Sequence, residues 1–512
     1  ILGSATDESQ YSYTGNAIET FYNGAWSPVN AQSSMWTSCY KAIANCNNYL
    51  EEFTGLTFSE YEQISDYEAE MYRYNNYQYE VRFLRAYFYF NLVRQYGDVP
   101  FTDHVLSTTE VNTLTRKPAQ EVFDWIIKEC DEIKDLIIPD YNNLGALVPS
   151  GESAETGRAN KRTVLALKAR TALYAASPLF NSHQEGSQGY KELWYRAAKA
   201  NKELIETCED AGMRLIDDYE NLWDAKSYSI AIDELIFGCR AIRATNSFEK
   251  YNFPVGLENC RGGNCPTQTL VDAYELKDGG ERPDKKADYD KNKPYYEGRD
   301  PRFEKTIAKN GDTKWPNWNE TALETYQGGA NAEPLSGGTP TGYYLKKYCQ
   351  TSINTTTAKP TTDNHTWIIY RLGEFYLNYA EALFKYLGTA YATNNEFPIP
   401  ANEMVSKTRR RTKVNMPKFP AGLDNKLWWE KYQNERMVEL AFEGHRFWDV
   451  RRWKEGDKHF SSIDAMKIYK SGDSYSYRRV TVNRQWDDKM YFFPIPQSEK
   501  AKNPNLTQNP GW

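Results

Sequence analysis

The sequence predicts a mostly α-helical protein whose helices pair irregularly and are interrupted by a large loop-rich region. Three observations carry that prediction. In the stretch 76–101, Phe83, Tyr87, Phe90 and Leu84, Phe88, Leu92 recur at helical spacing, with so many apolar neighbours that no wide polar face remains; such a helix belongs inside a large core. RTVLALKARTALYAASPLF (162–180) and RLGEFYLNYAEALFKYLG (371–388) carry closely spaced small residues, which let paired helices approach tightly. From Gly212 to about Asn364 the helical period fades and Gly, Pro, Asn and Trp increase.

Taken in order, residues 1–30 are rich in Ser, Thr, Tyr, Asn and Gly and have no sustained period, so they read as loop. Trp36, Tyr40, Ile43, Asn47 and Leu50 share one face of a helix over about 33–53, and a second helix from about 59 runs into the organising segment. That segment stops at Gly97, which tolerates a left-handed conformation, just before Pro100, which cannot continue a helix. Residues 119–136 bury Val122, Trp125, Ile126 and Ile133; a Gly/Ser/Asn-rich connection over 139–160 leads to helices over 162–180 and 190–211. Strand-like runs at 234–243 and 341–348 mark the loop-rich region. Helices resume at 367–388, 401–412 and 425–453, and from 460 onward the chain is loop and strand, ending in a Pro/Asn-rich surface tail. No strict 34-residue period is present, so periodicity alone supports only irregular antiparallel helix pairs.

Arg82, Arg85 and Arg94 lie within the apolar 76–101 helix, and charges in such a place need partners. Glu435, Glu439 and Glu443 supply a candidate set, because their four-residue spacing lines them along one side of a helix. The cations expected to answer them are Arg436, Arg446, Arg451 and Arg452 locally, or Arg82 and Arg85 from the early helix. This reads as a structural ion network.

Three segments resemble a known family. FLRAYFYFNLVRQYGDVPF (83–101), ERMVELAFEGHRFWDVRRW (435–453) and FFPIPQSEKAKNPNLTQNPGW (492–512) are similar to signatures of the SusD/RagB family of bacterial outer-membrane nutrient-binding lipoproteins. PTQTLVDAYELKDG (266–279), GRDPRF (298–303) and TGYYLKKY (341–348) agree with the same pattern. The resemblance implies one SusD-like unit over 1–512, with a tetratricopeptide-like α-α superhelix mainly in 33–211 and 367–453. It also implies a loop-rich insertion at about 212–366 that carries the ligand site, and a tail over 454–512. The implied role is capture of an oligosaccharide or polysaccharide for a SusC-like TonB-dependent transporter at the external face of a Gram-negative outer membrane; some members are associated with peptides instead. A lipoprotein signal and an acylated cysteine upstream of Ile1 are further implications.

Composition narrows the partners. The net charge is −7 and no block of clustered Lys and Arg appears, so nucleic acid and anionic membrane surfaces are poor partners and neutral ligands suit the chain better. The 39 Tyr and 14 Trp fit both an aromatic core and carbohydrate recognition. No apolar run approaches the roughly 18 residues of a transmembrane helix. Eight cysteines are too few for a disulfide scaffold; Cys39 and Cys46 read as buried thiols, while Cys260 and Cys265 bracket a short loop and are either a disulfide or two free thiols. No cofactor or metal ligand set is expected.

Catalysis finds little support, since HExxH, GxSxG, P-loop and Rossmann patterns are absent and His445 reads as a core residue. A glycoside hydrolase is the enzymatic alternative, because it needs only two spaced carboxylates, but the arginines beside Glu435, Glu439 and Glu443 favour ionised acids. Binding has better candidates. FYNGAWSPVN (21–30) holds Tyr22, Trp26 and Asn30 among turn formers, where Trp26 either meets a ligand or anchors the loop. DTKWPNWNETALETYQGGANAEPLSGG (312–338) presents Trp315, Trp318 and Tyr326 in a polar, glycine-rich setting suited to a sugar-stacking platform. By analogy with the family's aromatic arc, Trp26 is expected to meet Trp315 or Trp318.

Overall fold

The computed structural model describes residues 2–141, 144, 147, 157–240, 243–280, 290 and 292–512. Most of the connection expected over 139–160 lies outside the described residues. The fold is mostly helical with short strands, and the chain divides into two compact units: unit 1 comprises 1–26 and 212–488, unit 2 comprises 27–211 and 489–512.

Unit 2 holds helices α1 (Trp36–Glu52), α2 (Tyr67–Tyr96), α3 (Ala119–Ile133), α4 (Lys161–Ala176) and α5 (Gln188–Asp210), each packed against the next in sequence. α2 starts later than expected, since Ser59–Tyr61 forms only a short 3-10 turn. It ends at Gly97 with φ +70°, and it buries Phe83, Tyr89, Phe90, Leu92, Val93 and Tyr96 completely. α4 and α5 meet through Ala166, Ala169, Ala172, Ala197 and Ala198, all fully buried; without long side chains between them the two backbones approach closely. Asn160 and Ser187 cap these helices by accepting the N–H of Thr163 and Tyr190.

Arg82 and Arg85 find their partners inside unit 2, not in the late glutamates. Arg85 donates to Glu129 at 2.7 Å and Arg82 to Glu129 and Glu132 at 2.5 Å, because α3 packs directly on α2 and brings its own acids alongside. The C-terminal tail is tied to the same unit: Phe493 N–H donates to Gln95 O at 2.7 Å, and the Asn509 amide to Tyr96 O at 3.0 Å.

In unit 1, Leu235–Arg240 pairs antiparallel with Thr366–Arg371, Ser9–Tyr11 with Asn264–Pro266, and Ser462–Ser471 with Ser474–Asn483. Its longer helices are α6 (Leu372–Leu387), α7 (Ala401–Arg409), α8 (Asn425–Glu439) and α9 (Arg446–Arg452), with further short helical turns between. The helix expected from 367 therefore begins as a strand, since Thr366–Arg371 is held by its pairing partner. The single helix expected over 425–453 is two. Phe442 and Gly444 adopt φ of +60° and +80°, and the Glu439 carbonyl that ends α8 accepts from Tyr219 Oη at 2.6 Å and Arg371 Nη2 at 2.9 Å.

The break decides where the ion network forms. Arg371 donates to Glu234 at 2.9 Å, Glu439 at 2.8 Å and Glu443 at 2.7 Å; Arg302 reaches Asp300, Glu435 and Glu439; Arg411 reaches Glu234 and Glu439; Arg409 joins Glu435 to Glu275. Lys347 closes on Glu443 at 2.7 Å. A structural ion network is present, but its cations come from the loop-rich region, from Arg371 at the end of the strand before α6, and from Arg409 and Arg411 at the end of α7 and just beyond it. The local arginines turn elsewhere: Arg436 and Arg452 to Asp449, and Arg446 to Asp7 at 2.7 Å. Burial alone would raise Glu439, yet Arg371, Arg411 and Arg302 outweigh it and hold the carboxyl well below its ordinary range.

Candidate functional site

The predicted site residues separate into different environments. Trp26 is not exposed: at 3 % accessibility it packs edge-on against Phe21, 4.7 Å between ring centroids, and Phe21 in turn against Phe447. Tyr22 is half-buried with Arg484 over its ring at 4.4 Å. Asn30 falls in unit 2, where its N–H closes a turn onto Ser27 O and its side-chain oxygen accepts from Gln32 at 2.9 Å. Trp315, at 5 % accessibility, lies in a core cluster with Phe253, Cys265, Leu323, Tyr344 and Cys349, and the half-buried Trp318 packs against that cluster. Trp26 and Trp315 thus have different neighbours, and neither offers a free face. A polar, glycine-rich sequence context does not expose an indole when turns fold back over it. Tyr326, like Tyr22 and Trp318, is half-buried.

The tryptophan cluster is instead a floor. Trp318 Nε1 donates to Ile353 O at 2.8 Å, Asn259 Nδ2 to Thr355 O at 2.8 Å, and Thr357 N–H to Glu258 Oε1 at 2.7 Å, so the loops around 258 and 355 are joined above it. Cys260 and Cys265 are both free thiols here: Cys260 Sγ sits 3.2 Å from Thr355 Oγ1, and Cys265 is buried in the floor.

On this base stands a group of aromatic and polar side chains that the sequence reading did not single out. Tyr11 and Tyr13 lie 6.3 Å apart at 42°, Tyr251 is 49 % exposed, and the exposed Arg261 sets its guanidinium over the Tyr251 ring at 5.1 Å. The backbone brings them together. Tyr11 is paired with Asn264, Ser12 N–H donates to Gly263 O at 2.9 Å, and Ser12 Oγ donates to Arg261 O at 3.3 Å. Gly262 and Gly263 take φ of +89° and +47°, and a Cβ at either would lie 2.2 Å from a carbonyl oxygen, of Gly337 and Tyr251 respectively. Only glycines allow that turn to nest. A Cβ at Gly337 would come 2.7 Å from Tyr13 Oη, so the 337 turn borders the same group.

Burial raises the Tyr11 phenol above its ordinary value, the phenols of Tyr13 and Tyr251 push it the same way, and Arg261 opposes them. The site therefore offers an uncharged Tyr11 phenol at neutral pH, further hydroxyls, ring faces and one guanidinium. That set can stack on a C–H face and exchange hydrogen bonds with hydroxyls. The signal that could have found it was the alternation in Tyr11-Ser12-Tyr13 beside the Arg261-Gly262-Gly263 turn, but their proximity depends on a strand pairing across more than 250 residues.

The acidic stripe is chemically unlike this surface. Glu435 and Glu439 are buried and paired with arginines, and Glu439 is held ionised, so it does not supply the raised carboxyl a glycosidase acid requires. Unit 2 contains a cleft of 680 Å³ lined in part by Trp36, Tyr40, Val105, Val111 and Leu506. Its polar groups are largely engaged within the unit: Tyr40 Oη donates to Pro100 O, Asn47 to His104 O and Asn503 to Leu114 O. What it presents is mainly apolar.

Comparison with known proteins agrees with this architecture. The family model described as the SusD family matches residues 234–512, more than half of the chain. The chain belongs to the SusD family. A second model, described as starch-binding associating with outer membrane, matches residues 4–173. This SusD-family chain is 24% identical over 491 residues to SusD-like protein P2 of Formosa agariphila, covering 94% of this chain and 80% of that protein. Among solved structures, a SusD-like protein from Bacteroides fragilis superposes with a TM-score of 0.77 at 25% identity, covering 99% of this chain and 92% of that one. A SusD-like carbohydrate binding protein from the same species gives 0.76 at 23% identity, with coverage of 99% and 92%.

Proposed function

We propose that this SusD-family protein is a cell-surface glycan-binding protein that captures an oligosaccharide or polysaccharide at the outer membrane, without covalent chemistry, and hands it to a SusC-like TonB-dependent transporter. The observation that carries the reading is the group of exposed Tyr251 and Arg261 with half-buried Tyr11 and Tyr13, held beside the tryptophan cluster in a chain of this family. Rings take the sugar's apolar face, and phenols and guanidinium take its hydroxyls. In this reading Trp315 and Trp318 act as the foundation of the site, Trp26 and Tyr22 brace the early segment, and Asn30 serves unit 2. The cleft of unit 2 is assigned to contact with the transporter, since the surface it presents is mainly apolar. A lipid anchor upstream would hold the protein on the external face.

Calorimetric titration against soluble polysaccharides and their oligosaccharides, with reducing ends followed in the same samples, tests this. Saturable binding without new reducing ends is expected, and Tyr251→Ala or Arg261→Ala should weaken it roughly tenfold or more. New reducing ends would replace the reading with a glycoside hydrolase. Silence across the panel would replace it with peptide capture or transporter docking alone.

A further inference from the structure

A second cluster of partly exposed rings sits at the end of the hairpin formed by Ser462–Ser471 and Ser474–Asn483. The register pairs Tyr477 with Ile468 and Tyr475 with Lys470. On that face Ile468 is buried and Tyr477 packs against the core, whereas Lys470 and Tyr475 continue the same face beyond the core, Tyr475 being 40 % exposed. Tyr326 joins them from the neighbouring loop: its ring lies 5.9 Å from that of Tyr475 at 45°, and the Lys470 ammonium stands over it at 5.0 Å.

The cluster is rigidly held. Gln327 N–H donates to Ile468 O at 2.7 Å, which pins the loop to the hairpin, and the Asn331 side chain accepts from Glu324 N–H at 2.9 Å while donating to Val255 O at 2.7 Å. Two neighbouring rings at 45° with an ammonium over one of them have the elements of a sugar contact: apolar faces for C–H groups and donors for ring and hydroxyl oxygens. Tyr326 rests on the edge of the core beside Tyr477, whereas Tyr475 lies beyond it and is not needed to seal it.

We infer that Tyr326, Tyr475 and Lys470 form a second carbohydrate-contact surface, which engages a further stretch of a polysaccharide held at the Tyr11–Tyr251 group. This rests on the glycan-capture reading. Its consequence is chain-length selectivity, because a polymer touching both surfaces gains from effective concentration while a short oligosaccharide fills only the first.

The test is affinity electrophoresis of the full chain in native gels cast with soluble starch, laminarin, xylan or pectin, alongside calorimetry with the matching di- and trisaccharides. The double variant Lys470→Ala with Tyr475→Ala is expected to reduce retardation by the bound polymer on the order of tenfold while leaving the short-oligosaccharide affinity unchanged. Tyr475→Phe, which keeps the ring, should retain most of the retardation, and an unchanged melting curve would show that all variants fold. Unchanged retardation of the double variant, in a gel where Tyr251→Ala abolishes it, would overturn this inference and leave the first surface standing. Equal losses for polymer and short oligosaccharide would also overturn it, since the three residues would then belong to the first site. Retardation of the native chain by none of the polymers would remove both.

Discussion

Two regions of unit 1 use polar side chains in opposite ways. Around Arg371, every cation faces a carboxylate at 2.6–3.1 Å with almost no solvent access, and the carbonyl of Glu439 is drawn in as a further acceptor. Around Tyr251, by contrast, a guanidinium lies over an exposed ring and the phenols are partly open to water. The first region spends almost all of its bonding capacity on itself, Arg411 Nε being an exception; the second keeps more of it open to solvent. Sheer density of charge or of tryptophan therefore points to structure in this protein, and the ligand surface is the place where rings and donors are positioned but not consumed.

The largest expected effect breaks the first region. Arg371→Ala leaves Glu234, Glu439 and Glu443 short of a buried cation and should cost about 5 kcal/mol or more of stability, read as a large fall in Tm or loss of soluble protein. A small change in Tm would mean that water reaches those acids. Next comes the floor: Trp315→Ala should cost about 3–4 kcal/mol by opening a cavity beneath the Tyr251 group, and weaken glycan binding only as a companion of that destabilisation. If Trp315→Ala abolished binding with Tm unchanged, the indole would be a ligand contact after all.

A pH experiment gives an intermediate effect. Glu8 is buried; desolvation and the neighbouring Asp7 carboxylate push it up to about 8, against a hydrogen bond from Phe442 N–H and the pull of Arg446 and Lys347. The folded chain then holds a proton that the unfolded chain releases near its ordinary value. Stability from this group is complete below the unfolded carboxyl's range, declines as pH rises above it, and is lost once pH passes about 8. Over that window Tm should fall as pH rises, and Glu8→Gln should flatten the profile. Parallel curves for native and Glu8→Gln would refute the assignment. The smallest effect sharpens the second region: Tyr251→Ala should leave stability within about 0.5 kcal/mol while removing affinity, a separation that no floor or network variant should reproduce.

Much of the fold was legible in the chain. The apolar repeat of α2, its stop at Gly97 and the alanines of α4 are local signals, and local signals survive into the structure. The acidic stripe was legible as a network too, though its partners were not: Arg302, Arg371 and Arg411 are far from it in sequence and arrive only through strand pairing and helix packing. The continuous helix over 425–453 failed because Phe442 and Gly444 turn the chain under tertiary hydrogen bonds at Glu439. Of the site residues, Tyr326 and Trp318 are half-buried while Trp26 and Trp315 are buried, because a large apolar side chain in a loop-rich region is itself the material from which that region builds its core.

By itself, then, the sequence determined the helices, their small-residue contacts, the family signatures and the need for buried ion pairs, since each depends on spacing within a few turns of chain. Tertiary structure alone decided which cation meets which acid, and that Tyr11 and Tyr13 stand beside Tyr251 and Arg261. The reason is physical: those neighbours are joined by a pairing of Ser9–Tyr11 with Asn264–Pro266, and exposure is a property of what packs over a residue, which no local pattern encodes.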